Sequence, residues 1–74
     1  MTLSDLQAYH SKKAETYNER KLREAVRRDT AAQAGVIPEA LARIDARIDN
    51  ASRLEAFHTG ALRLLRTIEL RLRR

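Results

Sequence analysis

At 74 residues, with 43% hydrophobic and 34% charged side chains, the chain has room for one domain with a marginal core and is too apolar for a disordered segment. It has no cysteine, which excludes disulfides and thiolate metal sites. The net charge of +5 is unevenly placed: residues 63–74 hold five arginines against Glu69, while the preceding 62 residues hold ten basic and nine acidic side chains.

Glycine (2), proline (1) and aromatics (3) are scarce, and alanine, leucine, arginine and glutamate are abundant, so propensity predicts an all-α chain. No apolar run is long enough for a transmembrane span, and Met1-Thr2-Leu3-Ser4-Asp5 lacks the basic and apolar regions of a secretion signal. A cytoplasmic or intracellular location is the default expectation. The twelve arginines against three lysines fit a GC-rich coding sequence as readily as phosphate recognition.

In chain order, the first helix is expected to start near Ser4, which with Gln7 has the spacing of a capping box, and to run over about 4–34. Its candidate core positions are Leu3, Leu6, Tyr9, Ala14, Tyr17, Leu22, Ala25, Val26 and Ala32. Between His10 and Glu24 only Ala14, Tyr17 and Leu22 are apolar, so this helix is a poor core former. Gly35-Val36-Ile37-Pro38 is the break: glycine suits the residue just past a helix end, and proline the first turn of the next helix. A link this short turns the chain back on itself.

The second helix, 38–72, has the clearer stripe. Ile37, Leu41, Ile44, Ile48, Ala51, Leu54, His58, Ala61, Leu65, Ile68 and Leu72 follow steps of three and four, and beyond Leu54 the residues Phe57, Leu62 and Leu64 widen the stripe into a broad face. Residues 68–73 also alternate apolar and charged as a half-buried strand does, although they continue a helical pattern. The fold expected is one domain over 1–74, a two-helix antiparallel hairpin with paired positions summing to about 72: Leu6 opposite Leu65, Leu3 opposite Ile68, Tyr17 near Glu55. Two helices do not enclose so wide a face, which predicts completion by oligomerisation or docking. The acid-before-base pairs Glu19–Arg23, Glu24–Arg28, Glu39–Arg43, Asp49–Arg53 and Glu69–Arg73 are ordinary solvated helix surface.

Little in the sequence points to catalysis. There is no His-Glu-x-x-His run, glycine-rich phosphate loop or nucleophile elbow. Asp45 and Asp49 fit a solvated face better than a catalytic carboxylate pair. His10 and His58 come within reach of one another in the hairpin register, but without a convergent third ligand they read as a surface residue and a boundary residue rather than a metal site. A non-enzyme without cofactor, metal or small-molecule substrate is expected.

The function expected is a small assembly or interaction subunit: an adaptor, an inhibitor, or a structural part of a larger particle such as a virion. Its apolar contact would be Leu54, Phe57, Ala61, Leu62, Leu64, Leu65, Ile68 and Leu72, and its basic rim, facing acidic protein or phosphate, Arg63, Arg66, Arg71, Arg73 and Arg74. The partner would be a second copy or another protein. One alternative is sequence-independent nucleic-acid binding through this rim and a second basic stretch, Lys12, Lys13, Arg20, Lys21, Arg23, Arg27 and Arg28, which five acids nearly cancel. Another is a basic amphipathic helix on a membrane surface, weakened by the lack of tryptophan.

Overall fold

The computed structural model describes residues 1–73 and consists of α1 (Leu3–Gln33) and α2 (Pro38–Leu72), packed against each other as an all-α hairpin. It is a rod with extents of 58 × 17 × 13 Å. Arg74, the last member of the expected basic rim, lies outside the described residues.

The first helix starts one residue earlier than expected, and its cap differs. Thr2, not Ser4, is the N-cap: its hydroxyl accepts the Asp5 N–H at 3.1 Å, and the Asp5 carboxylate accepts the Thr2 N–H at 3.1 Å. This is a capping box in which the short aspartate replaces the usual glutamate or glutamine. Helix propagation from Thr2 places Ser4 and Gln7 inside the helix, so neither caps it.

At the far end α1 closes with a Schellman arrangement. The Val36 N–H donates to the Ala31 carbonyl at 3.1 Å and the Gly35 N–H to the Ala32 carbonyl at 3.2 Å. Gly35 adopts φ +76°, a left-handed conformation that a Cβ would disfavour. Pro38 opens α2, where its missing N–H leaves no bond unmade. The alternating segment at the end of α2 is helical as far as Leu72, which resolves the strand ambiguity.

The seam between the helices is narrow, and polar pairs border its apolar line. Gln7 Nε2 donates to Glu69 Oε2 at 2.7 Å, Lys21 Nζ to Glu55 Oε1 at 2.9 Å, and Arg28 pairs with Asp45. These pairs sum to 76, 76 and 73, close to the expected register. Arg28 therefore reaches across to Asp45 instead of along the helix to Glu24, whose neighbour is Arg27 at 3.5 Å. Of the expected pairs within one helix, Asp49–Arg53 and Glu69–Arg73 form; Glu19–Arg23 and Glu39–Arg43 are not ion pairs among the described residues. Each such half-exposed pair contributes at most about 1 kcal/mol, so they fix register more than stability.

Burial follows from this close approach of two helices with no third layer. Ala51, 1% exposed, is the one fully buried apolar side chain among the described residues. Leu3, Leu6, Ala14, Tyr17 and Ala25 of α1 and Leu41, Ile44, Ile48, Leu54, Ala61, Leu62 and Leu65 of α2 are half-buried. Tyr9, Leu22, Val26 and Ala32, expected in the core, are exposed, as are Ile37, Ile68 and Leu72 at the ends of the α2 stripe. Two cylinders touch along a line, so residues on the flanks of each stripe stay in water.

Candidate interaction face and its buried histidine pair

Two features distinguish the distal half of α2: one lies in the seam with α1, the other runs from Phe57 and Ala61 at its flank onto the outer face around Gly60. On the inner side His58 is 7% exposed, the second buried residue of the hairpin. Its Nδ1 lies 2.8 Å from Nδ1 of the half-buried His10. The Tyr17 ring stacks on it, centroids 5.7 Å apart and planes at 11°, and Tyr9 and Phe57 meet it edge-on. His58 is thus an enclosed, hydrogen-bonded core residue, not the wet boundary residue that the sequence suggested, and His10 is not free surface. Tyr17 follows His10 by seven residues, about two helical turns, so both rings face α2, while the more exposed Tyr9 reaches His58 from the flank.

At 2.8 Å one Nδ1 donates and the other accepts, so the pair holds a single shared proton between the rings. Burial, first, and then the nearby His10 and Lys13 push the His58 pKa below its ordinary 6.5. Chemically the pair is a clasp between helices. No third metal-ligating side chain joins it: among the described residues no group of three or more His, Cys, Asp or Glu is placed to hold an ion.

On the outer side, Ala56, Phe57, Gly60, Ala61, Arg63, Leu64 and Thr67 line an open groove of about 570 Å³. All seven belong to α2, so the groove is a hollow in one helix face, with no second wall to enclose a small molecule. Phe57 is 64% exposed and Leu64 68% exposed, and Ile68 and Leu72 continue the apolar surface toward the end of the helix, whereas Leu70 projects about 200° away from them.

The expected apolar contact residues therefore divide into two sets. Leu54, Ala61, Leu62 and Leu65 are half-buried, on or beside the seam with α1; Phe57, Leu64, Ile68 and Leu72 face solvent. Of the expected rim, Arg73 is tied to Glu69, which also accepts from Gln7, whereas Arg63, Arg66 and Arg71 form no ion pair among the described residues. Ala56, Gly60 and Thr67 were missed as members of the face. Their signal was Gly60 itself, a glycine in the middle of a strong helical pattern, which asks for a reason.

Neither a protein-family model, nor a curated protein, nor a solved structure matches this chain. No helix among the described residues is long and apolar enough to cross a membrane.

Proposed function

We propose that the chain is a non-catalytic interaction subunit that assembles through the outer face of the distal half of α2. The carrying observation is the apolar surface of that helix that the hairpin leaves uncovered, beyond the residues it already packs against α1. Phe57, Leu64, Ile68 and Leu72 are 47–75% exposed, although the seam with α1 already packs Leu54, Ala61, Leu62 and Leu65 beside its histidines and ion pairs. A contiguous exposed apolar strip, rimmed by arginines, is characteristic of a surface that another macromolecule covers. The open groove and the engagement of both histidines with each other leave no preorganised pocket to favour a catalytic role.

Site-specific photo-crosslinking in the host cell tests the proposal. A photoreactive residue at position 64 or 68 should yield a discrete adduct, and one at exposed Arg47, toward the turn, should yield none. Position 64 is the better probe than 65, because Leu65 belongs to the half-buried set and its disruption would disturb the hairpin itself. Absence of an adduct from 64 and 68, together with a monomer in sedimentation equilibrium, would remove the proposal. Arg63, Arg66 and Arg71, which form no ion pair among the described residues, keep phosphate contact as a second reading, recognised by affinity that falls steeply with salt.

A further inference from the structure

Gly60 is the unusual residue of the groove. It lies in the interior of the 35-residue α2, where glycine is the poorest helix former after proline. At 3.6 residues per turn it stands about 200° around the helix from His58, so it faces away from α1. A Cβ built on it meets nothing within 4 Å, and its φ is not left-handed. Neither backbone conformation nor packing inside the hairpin calls for glycine here. What remains is close approach from outside, the role small residues play where a second helix crosses. Ala56 and Ala61 keep the surrounding floor shallow, and Phe57 and Leu64 flank it.

The charges around this hollow have one sign. From Ala56 to Leu72 the only acid is Glu69, already engaged by Gln7 and Arg73, whereas Arg63, Arg66 and Arg71 are unpaired among the described residues. A second copy would bring the same arginines to the same face. A membrane surface would attract the arginines but gains nothing from a hollow at a glycine. We infer that the groove at Gly60 receives an amphipathic helix of another protein, its apolar ridge seated between Phe57 and Leu64 and its acidic side chains against Arg63, which lines the groove, and Arg71, further along the same helix face. The inference rests on the interaction reading above and names the chemistry of the partner.

The test uses the full chain and two labelled helical peptides of about 20 residues, one with a leucine-alanine ridge flanked by glutamates, the other with lysines in their place. Fluorescence anisotropy at physiological salt should show the acidic peptide binding at least about tenfold more tightly than the basic one. Gly60→Leu, which fills the hollow, should weaken it by about tenfold or more. Gly60→Ala should raise the melting temperature of the free chain while weakening the peptide, a combination that a merely structural glycine would not produce. Equal binding of both peptides, or none at about 100 µM, overturns the acidic-helix assignment. Self-association abolished by Gly60→Leu gives the groove to a second copy. Binding to phosphatidylserine vesicles that survives Gly60→Leu gives the face to a membrane. A crosslink at position 64 without acidic-peptide binding keeps the docking face and removes only its partner's chemistry; loss of both removes the two together.

Discussion

The inner side of α2, around Ala51 and His58, and its outer side, around Gly60, differ in what holds their side chains in place. The inner side encloses a histidine pair and is bordered by Gln7–Glu69 and Lys21–Glu55, with one Glu24 carboxylate oxygen left without a partner. The outer side leaves Phe57, Leu64 and Ile68 in water. Polar ties hold two helices in one register, because each has few geometries that satisfy it, but contribute modestly to stability. Apolar area stabilises whatever it touches and specifies little. The comparison teaches a division of labour: the seam determines the shape of the hairpin, and most of the exposed apolar area is left for something else.

Three measurements bear on this division. The largest effect is expected at Ala51, the least exposed side chain among the described residues. Ala51→Leu inserts three carbons into a site 1% exposed and should destabilise by about 1–3 kcal/mol, lowering the melting temperature by at least about 5 °C. A smaller loss would mean that the seam is looser than its geometry. Next, Leu65→Ala should cost about 1–2 kcal/mol by denaturant titration, and its neighbour Leu64→Ala less than about 0.5. Equal values would erase the distinction between the two faces.

The smallest effect concerns the histidine clasp. His58 binds its proton more weakly when folded than its ordinary 6.5, so the folded state disfavours protonation. The corresponding stability is complete above about pH 6.5 and is lost as pH falls through the lowered folded value. When both Nδ1 atoms of this contact carry hydrogen, neither accepts and the hydrogen bond is lost. The expected loss is about 1 kcal/mol on acidification, read from melting curves. Replacing both histidines with leucine should flatten that dependence between pH 7 and the acidic limb, with Lys13 and the Lys21–Glu55 pair unchanged nearby. A curve of the same slope in the double variant would assign the acid sensitivity elsewhere.

The hairpin, its turn at Gly35–Pro38 and its register were legible in the sequence because each depends on local chemistry: propensity, a left-handed glycine, proline at a helix start. The N-cap was misplaced because Thr2 and Ser4 both precede an acceptor at cap spacing, and spacing alone does not choose between two hydroxyls. Tyr9, Leu22 and Val26 were assigned to the core on polarity, but the helix presents to its neighbour only the line that also carries Gln7, His10 and Lys21. The exposed part of the candidate face was anticipated at Phe57, Leu64, Ile68 and Leu72. Its hollow was not, because an apolar stripe draws attention to large side chains while the hollow is made by the absence of one at Gly60.

The turn gives the hairpin an order of events as well as a shape. Arg28 and Asp45 are 17 residues apart in the chain, His10 and His58 are 48 apart, and Gln7 and Glu69 are 62 apart. Closing a loop of the last length directly costs about 1 kcal/mol more in chain entropy than closing one of the first, which favours pairing that starts near Gly35–Pro38. This predicts that the Leu6 and Leu65 end, beside the outer groove, joins late and parts early. Amide hydrogens there should exchange with solvent ahead of those near the turn, and a transient parting of the tips would uncover Leu62 and Leu65 next to a surface that is already apolar.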